Sequence, residues 1–204
     1  MPLLISARFG NGMIWAAITA GFAAGLVHVL TGPDHLAAVA PFAIGRKARS
    51  WRAGFQWGLG HCASVLIIGL LALFFRELLP LDLISSSAER FVGVVLIGVG
   101  VWGICKSVTP NAEPLKGGTP NAPLAIGTIH GLAGSSHLLG VIPGLLFPSA
   151  AAVCVYFGAF AAGTITGMAG FSTALGFLPQ RAYRGALAAC SCTAVMIGGY
   201  WLMA

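Results

Sequence analysis

Residues Gly25–Pro41 read GLVHVLTGPDHLAAVAP, and residues Gly127–Pro143 read GTIHGLAGSSHLLGVIP. Gly25, His28, Gly32, His35, Leu36, Val39 and Pro41 return as Gly127, His130, Gly134, His137, Leu138, Val141 and Pro143. The offset is a constant 102 residues, half of the 204-residue chain. The chain is therefore a duplication, and each copy carries two histidines. Repetition that keeps polar residues inside apolar sequence points to a site made by the repeat rather than to duplication for stability alone.

The setting of these histidines is a membrane. Only 8% of the residues are charged and 57% are hydrophobic, whereas a soluble domain carries roughly 25% charge to face water. A hydrocarbon core about 30 Å thick takes roughly 20 apolar residues per helix. Six stretches meet that need: Met13–Ala43, Ala53–Phe75, Phe91–Lys106, Ala122–Phe147, Ala150–Phe177 and Gly185–Met203. The third is the shortest and can extend back toward Ala88. The apolar run starts only after Gly12 and leads straight into His28, which is not the layout of a cleaved signal peptide.

Charge orients the chain. The net charge of +6 is spread over loops, so it is no signal for nucleic acid. With six helices, Arg46, Lys47, Arg49, Arg52, Lys106, Lys116, Arg181 and Arg184 fall on one side, and Arg8, Arg76 and Arg90 on the other. The excess of basic residues marks the cytoplasmic face, so both termini are expected outside, in a bacterial inner or plasma membrane.

Residues 107–121 (SVTPNAEPLKGGTPN) lack apolar periodicity and read as a polar linker between halves 1–106 and 122–204. Weaker matches continue the repeat: Trp57-Gly58 with Phe157-Gly158, Leu79-Pro80 with Leu178-Pro179, and Gly100-Val101-Trp102 with Gly199-Tyr200-Trp201. Three helices per half force the second half to enter the membrane from the opposite side. The expected fold is all-α and polytopic: six transmembrane helices in two inverted three-helix repeats, a layout that in transporters places the substrate site near mid-membrane.

Within the predicted spans the ionisable residues are few. Asp34 is the carboxylate well inside a span, and His28, His35, His61, His130 and His137 are there too. Ionisable groups at that depth mark ion or substrate paths, because hydrocarbon penalises them. On a straight helix His28 and His35 would share a face about 10 Å apart along the axis. Thr31-Gly32-Pro33-Asp34 reads as a fresh helix start, with Thr31 as N-cap, Pro33 in the first turn and an acid after it. A break there would shorten a segment of about 45 Å and bring His28, Asp34 and His35 toward one point. Gly134-Ser135-Ser136 is the matching weak spot, so helices 1 and 4 are expected to be interrupted. Ser135 and Ser136 replace Pro33 and Asp34, which leaves the second copy without a carboxylate.

Imidazole with carboxylate suits a borderline divalent ion such as nickel, cobalt or zinc, while magnesium and calcium take all-oxygen shells. The expected metal ligands are His28, Asp34, His35, His130 and His137. His61, aligned with the region of Ala161, is an added ligand or a relay group. The five cysteines (Cys62, Cys105, Cys154, Cys190, Cys192) read as small buried packing residues, and Cys190-x-Cys192 lacks structural zinc spacing.

His28-Val29-Leu30-Thr31-Gly32-Pro33-Asp34-His35-Leu36 resembles the signature of the nickel/cobalt permeases, particularly their HupE/UreJ and UreH-like branches linked to hydrogenase and urease. Gly58-Leu59-Gly60-His61 and His130–His137 also resemble this group. The better-known high-affinity members space His and Asp-His by four residues and use more helices, and this chain departs from both. The resemblance implies transport of a transition metal, Ni²⁺ foremost and Co²⁺ next, with His28, Asp34 and His35 at the ion. It leaves the metal and the direction of transport open. The expected partners are the lipid bilayer and the metal ion, with a homo-oligomer compatible and no prosthetic group required. A haem-binding electron-transfer protein is the alternative from another class, since paired membrane histidines can ligate haem. An enzyme is not expected: no His-Glu-x-x-His is present. No Gly-x4-Gly-Lys-Ser/Thr loop occurs either, so the chain itself has no ATP-binding motif.

Overall fold

The computed structural model describes residues 2–44, 47–75, 81–109, 121–132, 143–144 and 146–203. All secondary structure among them is helical: α1 (Pro2–Thr31), α2 (Pro33–Ala43), a 3-10 turn (Lys47–Arg49), α3 (Trp51–Phe75), α4 (Leu81–Val108), α5 (Ala122–Leu132), α6 (Ala150–Gly176) and α7 (Gln180–Met203). Among the described residues, four segments are long and apolar enough to cross a membrane: Asn11–Thr31, Glu89–Val108, Ala150–Gly176 and Ala182–Met203. Helix α4 begins ten residues before the expected Phe91, and α7 five before Gly185. Hydropathy marks where lipid is faced, whereas a helix continues through polar residues such as Ser85–Arg90 as long as no breaker stops it.

The expected interruption after His28 is present, but its cap differs. Gly32, extended at φ −85° and ψ 100°, is the N-cap of α2, and no side chain caps it. Thr31 instead ends α1, its hydroxyl donating to the Val27 carbonyl at 2.7 Å. That bond turns the hydroxyl back along α1, whereas an N-cap oxygen accepts from the N–H groups of the helix it starts. Pro33 takes the first helical position, where its missing N–H costs nothing, and Leu36 N–H closes the first turn on the Gly32 carbonyl at 3.2 Å. Helix α2 is buried from Asp34 to Ala43 except at Leu36. It runs through the centre of the principal core with Val29, Trp57, Val92, Leu96, Met168 and Ala194.

Around α2, helices meet at glycines, which let backbones approach closely where no hydrophobic drive exists between helices. α1 and α6 run parallel, with Gly21 against Tyr156, Gly25 against Phe160 and Thr164, and Gly167 against Leu26 and Val29. α5 and α3 also run parallel: Gly60 lies on the Leu124 carbonyl, Gly127 on that of Trp57, and Gly131 on that of His61. α3 and α6 are antiparallel, since Gly54 meets Met168, Gly58 meets Ile165, and Cys62 Sγ approaches the Ala161 carbonyl at 3.8 Å. α4 and α7 are antiparallel through Gly93 with Gly198 and Gly100 with Ser191.

One end of this bundle gathers basic residues. Arg184 Nε donates to the Ser107 carbonyl at 2.7 Å, tying the start of α7 to the end of α4. Gly176 at the end of α6 packs on Ser50 beside Lys47. Lys47, Arg49, Arg52, Lys106 and Arg184 therefore lie at a common end. The cysteines depart from the sequence expectation. Cys62 is buried, Cys190 is half-buried, and Cys105, Cys154 and Cys192 are exposed, as an apolar thiol is free to be on a surface already made of Trp15, Val27, Phe91 and Met196.

Candidate functional site

The helix break supplies the site's geometry. His28 stands on the last turn of α1, Asp34 and His35 on the first turn of α2, His61 in α3 and His130 on the last turn of α5. Because the chain turns at Gly32, the His28 and His35 rings lie 4.8 Å apart rather than two helical turns away. A side chain at Gly32 would run into the His35 ring. Glycine is thus needed there for space, since the backbone angles suit any residue.

The other two imidazoles complete the cluster from behind. His61 Nε2 is 3.4 Å from His28 Nε2, and the His35 ring is 5.2 Å from His61 and 4.9 Å from His130. His130 Nε2 lies 2.8 Å from Asp34 Oδ2. A carboxylate only accepts, so His130 is the donor and carries its proton on Nε2. Asp34 Oδ1 is 3.9 Å from His35 Nδ1. Asp34 stands in the first turn of α2, the end of a helix that favours a negative charge. His35, His61 and His130 are only 3%, 1% and 3% exposed, and His28 is half-buried.

Two sets of donors converge closely enough to surround one ion. One nitrogen each from His28, His35 and His61 lies within 4.8 Å of the others, as do donors from Asp34, His35 and His130. A cleft of about 670 Å³ reaches the cluster from the side, lined by His28, Thr31, Asp34 and His35 on one wall and Met196 and Tyr200 on the other.

Known proteins resemble the chain in sequence. A chloroplast protein of Arabidopsis thaliana named for growth and fertility is 39% identical over 65% of the chain and 39% of its own length. The urease accessory protein UreH of a Bacillus strain is 31% identical over 60% of the chain and 60% of its own length. A protein of Methanocaldococcus jannaschii named as a nickel/cobalt efflux system is 28% identical over 62% of the chain and 59% of its own length. The chain thus spans between about two fifths and three fifths of these relatives. No family model and no solved structure matches it. The likeness to the Bacillus and Methanocaldococcus proteins supports membership of the nickel/cobalt permease family.

The structure brings together five of the six residues singled out from sequence: His28, Asp34, His35, His61 and His130. His137, with the weak spot Gly134-Ser135-Ser136, lies outside the described residues. The sequence match of Trp57 to Phe157, and of His61 to the region of Ala161, needs correction. Gly60 sits on the Leu124 carbonyl as Gly163 sits on that of Phe22, and Leu124 and Phe22 are themselves 102 apart. This contact pairs Gly60 with Gly163, Trp57 with Phe160 and His61 with Thr164. The aromatic pairing agrees, with Trp57 5.5 Å from His130 and Phe160 5.6 Å from His28. Thr164 directs its hydroxyl to the Gly25 carbonyl at 3.4 Å, so the second copy has a neutral hydroxyl where the first has an imidazole.

Sequence reasoning missed Trp57 as part of the site. Its ring stacks on His61 at 4.7 Å and 13°, meets His35 edge-on at 5.3 Å, and is fully buried. The spacing Trp57–His61, one helical turn, was the available signal.

Proposed function

We propose that this protein is a secondary transporter of a divalent transition-metal ion, Ni²⁺ first and Co²⁺ second, moved through the intramembrane His/Asp cluster. The observation that carries this reading is the convergence of four imidazoles and one carboxylate at a helix break, inside a chain with apolar helices long enough to cross a membrane. Neutral imidazole is a good ligand for late first-row divalent ions, and geometry with metal supply decides among them. The names of the Bacillus and Methanocaldococcus relatives point the same way.

The remainder of the reading follows the directions of the helices. Halves 1–106 and 122–204 are two inverted three-helix repeats. The antiparallel pairs α3 with α6 and α4 with α7 support this, as does the exchange of first and second helices in the parallel pairs α1 with α6 and α5 with α3. The end holding Lys47, Arg49, Arg52, Lys106 and Arg184 is cytoplasmic by the positive-inside rule, which leaves both termini outside. A haem between paired histidines is disfavoured by space: the rings of Trp57, His35 and His130 fill the surroundings of the His28–His61 pair at 4.7–6.0 Å. A sixth metal ligand, His137, is proposed from the repeat alone.

The test is ⁶³Ni²⁺ flux in proteoliposomes together with Ni²⁺ titration calorimetry on the purified chain. His35→Ala, which removes the imidazole common to both donor sets, should abolish flux and binding. Flux and affinity equal to the parent's would refute the assignment.

A further inference from the structure

The five donors do not form one coordination sphere. Donors of His28, His35 and His61 converge within 4.8 Å, donors of Asp34, His35 and His130 do so separately, and His35 alone belongs to both sets. We propose that the cluster is two adjoining metal stations sharing His35: a receiving station of three imidazoles and a second, carboxylate-containing station that is latched shut until the ion is passed on. The proposal rests on the transport reading above and deepens it.

Distances separate the two stations by readiness. With metal–nitrogen bonds of about 2.0–2.1 Å, ligand nitrogens on a tetrahedral ion stand about 3.3–3.4 Å apart. His28 Nε2 and His61 Nε2 are already at 3.4 Å in a long hydrogen bond, so this edge of the receiving station has ligand spacing and needs only its proton moved to the far nitrogen of the donor ring. Asp34 Oδ2 and His130 Nε2 are instead joined by a 2.8 Å hydrogen bond. The proton in that bond stands where an ion would; it must pass to Nδ1 of the same ring, and the two atoms must draw apart to ligand spacing, before Nε2 can ligate. The second station therefore opens only when the latch breaks.

Access agrees with this order. His28, the half-buried imidazole, lines the cleft, whereas His61 and His130 lie behind it. Asp34 and His35 line the cleft too, and His28 is the most exposed of these three donors, so an ion arriving through the cleft meets it first. His61 is fixed in its plane by stacking on Trp57, which keeps the receiving station formed, and His35 at the base of α2 is the ligand that both positions hold. Passing from one station to the other exchanges His28 and His61 for Asp34 and His130 while one bond to His35 persists.

Two variants on the full chain separate this from a single five-ligand site. Ni²⁺ affinity is measured by calorimetry in detergent and ⁶³Ni²⁺ flux in proteoliposomes. His61→Ala should lower affinity by more than about 100-fold, since even residues behind a metal's ligands typically contribute 10–100-fold. Asp34→Asn should leave affinity within about tenfold and abolish flux. His28→Ala repeats the first test at a half-buried ring, where no sealed cavity threatens folding. An equal loss of affinity in His61→Ala and Asp34→Asn would overturn the two stations, and so would parent-like affinity in both His variants. Absence of Ni²⁺ and Co²⁺ binding by the parent chain would instead overturn the transport reading itself.

Discussion

Gly32→Ala isolates site geometry from fold. At φ −85° and ψ 100° the residue is in a region open to alanine, so the backbone has no reason to change. The added methyl would stand 2.7 Å from His35 Cε1 and 3.0 Å from Cγ, where carbon contacts need about 3.5 Å. The His35 ring must therefore shift by about 1 Å. Moving a positioned group by 1 Å can cost about 100-fold in rate, and His35 is the ligand that the proposal gives to both stations. We expect Ni²⁺ flux to fall about 100-fold, with a thermal unfolding free energy changed by less than about 1 kcal/mol, the scale of an N-cap substitution. Gly98→Ala is the control: it is exposed with nothing within 4 Å of an added methyl, and a mid-helix Gly→Ala stabilises by about 0.5–1 kcal/mol. The assay is ⁶³Ni²⁺ flux beside thermal unfolding in the same detergent. Parent-like flux in Gly32→Ala would refute the reasoning, because it would mean that the His35 position does not govern the ion.

Substitutions at two further positions probe the walls of the site. Trp57→Ala empties a fully buried volume and should cost about 3–5 kcal/mol of stability. Trp57→Phe keeps a ring over His61 and should bind Ni²⁺ within about threefold of the parent by calorimetry, while Trp57→Leu, with no ring, should bind more weakly. Gly127→Ala puts a methyl onto the Trp57 carbonyl and should destabilise by about 1–3 kcal/mol through overpacking. Thermal unfolding checks it, and a variant as stable as the parent would show that α3 and α5 do not approach as closely as described.

Much of this site was legible locally. Gly32-Pro33 announces a break because proline lacks an N–H and restricts the residue before it, and the break lies there. Which residue caps it was not legible, since Thr31 can serve α1 as readily as α2 and the structure gives its hydroxyl to Val27. The cysteines were misread because burial in a membrane protein does not follow from apolar character alone.

The amino-acid sequence by itself determined the membrane class, the duplication, the break and the identity of the polar groups. Each of these follows from composition or from chemistry within one turn of helix. Tertiary structure decided which donors meet: His28 with His61, Asp34 with His130, and His35 between them. It also decided that Trp57 backs the site and that Thr164 stands opposite His61. The physical reason is that helical periodicity tells which residues share a face but not which helix that face meets or at what height. Height here is set by glycines resting on carbonyls of helices distant in the chain, Gly60 on Leu124 and Gly163 on Phe22, and no local pattern encodes that contact.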